Sequence, residues 1–238
     1  MVIENLVEMH SHILPGIDDG APNVETSLKM VAKLQVQGCK KIVLPPHYYS
    51  DTISLDDFLR KRDRAFNELL RALPPGSPEI IPSAEVYISH YLFNNPDISK
   101  LCIGNSKYVL IEHNFASSFS EANFDRLMNL KCNYGVKPIL AHIERYGALM
   151  ENIDKLDNYI AMGCLTQVNV SSFADSPRPV RKRLFQLLDT GRIHFLGTDC
   201  HNLDSRSPDF SKGAKAIIEN SGRDAIDVLM HNANLLTR

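Results

Sequence analysis

Net charge, long apolar runs and paired cysteines are all scarce in this sequence. Lys and Arg number 26 against 28 Asp and Glu, a formal charge of -2. That leaves no cationic field to hold a polyanion by counterion release, so nucleic acid is not an expected partner. No uninterrupted apolar run approaches the roughly 20 residues that span a bilayer. Glu4 and Glu8 stand where a secretory signal would carry Lys or Arg. The expectation is a soluble cytoplasmic protein with no membrane insertion. The five cysteines, Cys39, Cys102, Cys132, Cys164 and Cys200, are odd in number and lack CxxC spacing, which argues against both a disulfide framework and a structural zinc site. They read as small reduced core residues, with Cys200 set aside for the chemistry below. Neither GxGxxG nor GxxxxGK[ST] occurs, so the common nucleotide-binding sheets have no support here.

What is present is a chain that can bury one core, 238 residues at 44% hydrophobic content. There is no internal repeat, and "RALPPGSPE" (71–79) reads as a turn-rich helix-to-strand loop. One domain over 1–238 is expected. Short apolar runs predict strands at "NLVEMH" (5–10), "KKIVL" (40–44), "EIIPSAE" (79–85), "KYVLIEH" (107–113), "KPILAH" (137–142), "LTQVNV" (165–170) and "IHFLGTD" (193–199). Leu28, Val31, Ala32 and Val36 recur at helical spacing between an N-cap at Asn23 and a stop at Gly38. Later helices are predicted near 55–72, 121–133, 151–162, 178–190, 209–220 and 223–232. About seven alternating β and α units argue for an α/β fold whose parallel sheet closes, or nearly closes, into a barrel. An open doubly wound sheet is the competing topology.

Barrel active sites are assembled at the C-terminal ends of the strands. The first strand ends in His10 and His12, with Asp18 and Asp19 in the loop beyond, and the second leads to His47. The third ends in Glu85, the fourth in Glu112 and His113, the fifth in His142 and the seventh in Asp199 and His201. A lone His at a strand end is more often a core or surface residue. His10-x-His12 and Asp199-x-His201 weigh more, because a period of two puts both side chains on one face. Ligand-type residues on six strands at one edge are not expected of independent surface residues. A set of imidazoles and carboxylates without thiolate suits borderline or hard divalent ions, and the set is too large for one ion. His90, His194 and His231 fall outside the pattern and read as structural. Arg145 in "HIER" and Arg206 in "DCHNLDSRSP" should project over the same rim. The usual fate of Arg is a solvated surface, yet guanidinium forks match phosphate oxygens. Metals with two rim arginines point to phosphoester hydrolysis.

Together "MHSHILPGIDDG", "PPHY", "SAEVY", "LIEHN", "AHIERY" and "TDCHN…RSP" resemble the polymerase and histidinol phosphatase (PHP) superfamily. Within it they resemble the bacterial manganese-dependent protein tyrosine phosphatases of capsule and exopolysaccharide operons. The match runs in order from residue 10 to about 208. It implies a distorted (β/α)7 TIM-like barrel with a trinuclear site. One ion would be held by His10, His12, Glu85 and Asp199. A second would share Glu85 and add Glu112 and His142, and a third would take Asp19, His47 and His201, with Asp18 as the alternative to Asp19. Arg145 and Arg206 would bind phosphate and stabilise the transition state. The ions would be Mn²⁺ first, with Fe²⁺, Zn²⁺, Mg²⁺ or Co²⁺ as alternatives. The implied substrate is the phosphorylated tyrosine-rich tail of a membrane-associated bacterial autokinase that controls polysaccharide export. Ile143 stands where many relatives have proline, and Pro46 makes the second motif "PPHY"; neither removes a ligand.

The expected chemistry is attack on phosphotyrosine by water that the ions activate. A rival lies in "CHNLDSRS", where Cys200, Arg206 and Ser207 have the C-x5-R-[ST] spacing of cysteine-dependent phosphatases. Its intervening residues lack Gly, and Cys200→Ser separates the two mechanisms. Histidinol-phosphate phosphatase or nuclease activity would keep every ligand and change the substrate. A phosphotyrosine-binding module would have little need of three metals. Gly16 and Gly20 are expected to let the first loop fold back over the barrel mouth.

Overall fold

The computed structural model describes residues 2–238. Its strands are β1 (Leu6–Glu8), β2 (Cys39–Leu44), β3 (His47–Tyr48), β4 (Glu79–Pro82), β5 (Glu85–Tyr87), β6 (Tyr108–Glu112), β7 (Lys137–Leu140), β8 (Leu165–Asn169) and β9 (Phe195–Gly197). The helices are α1 (Val24–Gln35), α2 (Leu55–Ala72), α3 (Glu121–Tyr134), α4 (Gly147–Glu151), α5 (Ile153–Ala161), α6 (Ser172–Asp175), α7 (Arg178–Asp189), α8 (Ser211–Ser221) and α9 (Arg223–Leu236). All strand pairs are parallel, in the orders β1-β2-β4 and β3-β5-β6-β7-β8-β9.

The two sheets form one curled surface. Pro45 and Pro46 separate β2 from β3, since proline cannot donate to the ladder. Ser83 N–H nevertheless donates to the Leu44 carbonyl (3.2 Å) and Glu85 N–H to that of Pro46 (3.0 Å), so the register carries through the break. The ring closes where Ser11 bridges Cys200, flanked by Asp199 N–H to the His10 carbonyl (2.7 Å) and His12 N–H to the Cys200 carbonyl (2.9 Å). That closure makes a seven-stranded TIM-like barrel and removes the open doubly wound alternative.

Three details depart from the periodicity. The predicted strand 79–85 is split into β4 and β5. Two 3-10 turns, His90–Asn94 and Ile98–Leu101, replace a crossover helix after β5, where Pro96 prevents one continuous helix. The predicted helix 151–162 is joined by a preceding short α4, and Asn152 between them accepts the Lys155 N–H as the cap of α5. Helix α1 is capped by Asn23, which accepts from Thr26 N–H, and α2 by Ser54, which accepts from Asp57 N–H.

Alternate strand positions separate two apolar regions. Val7, Met9, Val43, Ile81, Leu110, Ile139 and Phe195 form one cluster inside the barrel, with Ala233 of α9 packed against it. The larger cluster, including Leu6, Ile42, Val86, Ile111, Leu140 and Leu196, lies between the strands and the helices. Each fully buried Leu, Ile or Phe contributes about 1.5–3 kcal/mol relative to exposure, which is what holds the strand ends in fixed relation.

Candidate metal centre

The C-terminal strand ends converge on Glu85, which is 1% exposed at the start of β5. Its Oε2 lies 3.2 Å from His10 Nε2, 3.3 Å from His12 Nε2 and 3.0 Å from His47 Nδ1, while Oε1 is 2.9 Å from His142 Nε2. Asp199 Oδ1 stands 3.6 and 3.4 Å from the Nε2 atoms of His10 and His12. Glu112 approaches His142 Nε2 at 3.6 Å and His47 Nδ1 at 3.8 Å. On the outer side Asp19 Oδ1 is 3.5 Å from His47 Nε2 and 3.3 Å from His201 Nε2. His47 therefore faces two neighbourhoods, one through each ring nitrogen. Donor atoms within 4.8 Å of one another fall into three overlapping groups: His12, Asp19, His47 and His201; His10, His12 and Glu85; His47, Glu85 and Glu112.

Hydrogen bonds around the cluster determine which imidazole nitrogen is free. Gln167 Oε1 accepts the His142 backbone N–H (2.7 Å), so the His10 Nδ1 found 3.1 Å from the same oxygen must carry its proton. His12 Nδ1 faces the Asp18 carboxylate at 2.8 Å, and His201 Nδ1 faces the Asp199 carbonyl at 2.9 Å; neither oxygen can donate. All three rings thus carry a proton on Nδ1 and aim Nε2 at the cluster, the orientation metal-ligating histidines receive from their outer partners. His10 Nε2 and His12 Nε2 are 3.2 Å apart, two ligand-type nitrogens face to face. Glu85 Oε2, His47 Nδ1 and His201 Nε2 are buried without a hydrogen-bond partner. Buried polar atoms are ordinarily paired, and a cation is what this donor set lacks; the residues fit divalent ions.

The buried carboxylates favour positive charge at the cluster. Burial disfavours charge on His10, but Glu85 and Asp199 outweigh it and raise its pKa. Burial also opposes ionisation of Glu85, yet His10, His12 and His142 hold its carboxyl well below the usual range. Burial and then the Glu85 charge push Glu112 up to about 7, while burial and His12 bring His201 down to about 4.

Asp18 and Asp19 have different surroundings. The Asp18 side chain is 6% exposed, and it accepts from Gly20 N–H and His47 N–H besides facing His12. Asp19 is 64% exposed and faces His47 and His201. The first loop folds back through Ala21 N–H to the His12 carbonyl and Gly16 N–H to that of Ala21. A Cβ at Gly20 would lie 2.1 Å from the His12 carbonyl oxygen, so no other residue fits there. Two site residues have left-handed backbones, His142 (φ 33°) and Asp199 (φ 53°), a cost that persists only where surrounding contacts enforce it.

Arg145 Nη2 and Arg206 Nη2 both reach Asp199 Oδ2, at 2.7 and 2.8 Å, and both remain partly exposed at the rim. His113, at the same strand end as Glu112, turns away: its Nδ1 is 3.2 Å from Asn123 Nδ2, and burial brings its pKa down to about 3. His90 stacks on Tyr91 outside the cluster, and His194 sits at the other end of the barrel beside Thr166. Cys200 is fully buried in the closing bridge, and burial followed by Glu8 pushes its thiol well above the ordinary range, the reverse of an activated thiolate.

Supporting residues escaped the sequence reading. Gln167 also donates to Asn169 Oδ1, and Asn169 donates to Asp199 Oδ2, giving a relay from His10 to Asp199 along β8. The period-two pair Gln167-x-Asn169 was the available signal, on the one predicted strand without a ligand. Buried Glu8 accepts from His10 N–H, Thr198 N–H and the Thr198 hydroxyl, tying β1 to β9. Glu144 accepts from Asn169 N–H and the Ser172 hydroxyl.

Fold and cluster define a parallel-barrel protein with a metal-type centre at its C-terminal rim. The model of the capsular polysaccharide synthesis family CpsB/CapC matches residues 6–238, and the chain belongs to that family. It is 31% identical over 216 residues to the tyrosine-protein phosphatase CpsB of Streptococcus pneumoniae, covering 85% of this chain and 86% of that protein. To the tyrosine-protein phosphatase YwqE of Bacillus subtilis it is 28% identical over 240 residues, 98% of this chain and 92% of the other. Among solved structures it superposes with a TM-score of 0.83, at 24% identity and with 98% and 94% coverage, on a chain from the work describing YwqE and CpsB as unique metal-dependent tyrosine phosphatases.

Proposed function

We propose that this chain is a metal-dependent protein-tyrosine phosphatase. The observation that carries the reading is Glu85, buried among four imidazoles with Oε2 unpartnered; the tyrosine phosphatases CpsB and YwqE supply the substrate class. The ligand set is His10, His12, Asp19, His47, Glu85, Glu112, His142, Asp199 and His201, serving three divalent ions with Mn²⁺ as the first candidate. Asp19 is assigned over Asp18 because the Asp18 oxygens are already engaged with His12, Gly20 and His47.

When bound, the ions supply Lewis acidity that lowers the pKa of water and offsets phosphoryl charge. Arg145 and Arg206 bind the phosphate oxygens through their N–H forks and carry charge compensation into the transition state. Asp199 positions both guanidiniums, Asp18 and Gln167 orient His12 and His10, and no side chain forms a covalent phosphoenzyme. The physiological substrate is assigned as the phosphorylated tail of a membrane-associated tyrosine kinase in polysaccharide export, reached from the cytoplasm; no helix among the described residues is long and apolar enough to cross a membrane.

The deciding experiment is hydrolysis of a tyrosine-phosphorylated peptide before chelation, after chelation and after Mn²⁺ is restored. Loss followed by recovery is expected. Activity that survives complete metal removal overturns the reading.

A further inference from the structure

The rim of the barrel is divided. The strand order places β3, β5 and β6 side by side, with β7 to β9 beyond them. Arg145 and Arg206 follow β7 and β9, whereas the first arc carries Tyr49 after β3, Tyr87 at the end of β5 and Phe115 after β6. Exposed rings thus line the β3–β6 side of the ligand cluster, and Phe115 meets the cationic side at Arg145.

Phe115 is held in place and left uncovered. Its ring centre is 5.6 Å from that of His142, 6.1 Å from Tyr146 and 5.7 Å from Arg145 Cζ. Asn114 turns the loop by accepting Ala116 N–H at its side chain and Ser117 N–H at its carbonyl. Buried Phe119, 4.6 Å from the His113 ring and 4.9 Å from Tyr146, anchors the loop's far end. Yet Phe115 remains 53% exposed. Tyr49 stands 5.5 Å from the His47 ring and 5.7 Å from Tyr87, also partly exposed, on a cavity of about 550 Å³ that reaches Asp19 and Ile17. Both rings are held by neighbours that belong to the rim of the ligand cluster, His142 and Arg145 for Phe115 and His47 for Tyr49.

Resting on the phosphatase reading, we infer that Phe115 and Tyr49 form the wall that receives the aryl ring of phosphotyrosine, and so select aryl over alkyl phosphomonoesters. With phosphate oxygens drawn to Arg145 and Arg206, the ester substituent is carried toward Phe115, whose ring stands beside Arg145. An aryl group can meet the rings of Phe115 and Tyr49 in offset or edge contact. The short alkyl group of a serine phosphate offers much less surface for that contact.

The test compares kcat/KM for phenyl phosphate and ethyl phosphate in the Mn²⁺-loaded full chain and its Phe115→Ala, Phe115→Leu and Tyr49→Ala variants, with metal content measured in each. The leaving groups are constant across variants, so a change in the ratio reports the wall. Phe115→Ala should lower the aryl-to-alkyl ratio about tenfold, the scale of one aromatic contact, with the Ki of phenylphosphonate rising in step and metal content unchanged. Phe115→Leu should recover part of the ratio, and Tyr49→Ala should lower it less. An unchanged ratio, or parallel loss on both esters, overturns the inference and leaves the phosphatase reading standing. Failure of the unmodified protein to hydrolyse either ester overturns both.

Discussion

The C-terminal end of the barrel gathers the nine proposed ligand side chains, all but Asp19 and His47 buried, while the N-terminal end is closed by Phe195, Leu165, Tyr108 and the last turns of α9. One end holds buried polar atoms without partners; the other is mainly apolar, and its His194 is paired with Thr166. The contrast teaches that a rigid apolar floor lets strained, electrostatically unbalanced residues persist at the rim. Left-handed His142 and Asp199 are affordable because the strands that carry them are packed below.

The comparison breaks if ligand loss is tolerated. His12→Ala and Asp199→Ala should each lower kcat/KM on a tyrosine phosphopeptide by about 10³-fold or more, the scale of losing a principal electrostatic group, with reduced metal content by elemental analysis. Full activity in both would remove the ligand assignment.

Arg145→Lys and Arg206→Lys sharpen it. Each keeps the charge and loses the fork, so a fall of about 10²-fold with metal content retained is expected. Equal loss of metal and activity would instead make the arginines supports of Asp199.

At the floor, Phe195→Ala should cost about 3–5 kcal/mol in urea unfolding, while the protein that remains folded keeps its metal. Chelation should act in the opposite sense: activity vanishes and the melting temperature falls, since an ion that binds only the native state stabilises it by about 4 kcal/mol at a thousandfold excess over Kd. No change in melting temperature on chelation would sever the link between rim charge and ions.

The smallest effects concern His194 and Cys200. Burial lowers the His194 pKa from 6.5, so below that value the unfolded chain takes up protons more readily than the folded one. Its contribution to stability is complete above pH 6.5 and is lost as the pH falls toward the depressed value. His194→Gln should therefore flatten the stability profile in that window, measured by urea midpoints, without altering turnover. Cys200→Ser should keep near-normal turnover; abolition of activity with metal still bound would revive the thiolate mechanism.

Much of the fold was legible because period-two and period-3.6 patterns report burial directly. All seven predicted strands and the later helices lie where their apolar spacing put them, whereas ring closure was decided by the Ser11–Cys200 bridge, which alternation alone left open. The breaks at Pro45-Pro46 and Ser83-Ala84 were less visible, since a run such as "EIIPSAE" is apolar throughout and does not reveal where the ladder pauses. Among the site residues, the His-x-His and Asp-x-His pairs drew notice because their chemistry is unusual at a strand end. Gln167, Asn169 and Glu8 did not, because an amide or a carboxylate on a strand has no distinctive sequence mark; their meaning lies in which distant atom they meet.

By itself the sequence determined the strand-and-helix alternation, the edge at which ligand-type residues accumulate and the resemblance that makes phosphotyrosine the substrate to test. Only the tertiary structure decided that Asp18 orients His12 while Asp19 faces His47 and His201, which imidazole nitrogens face the cluster, and that exposed Phe115 stands beside Arg145 and His142 at the rim. Those outcomes depend on contacts between residues far apart in the chain, and no local pattern encodes the distance between one strand end and another.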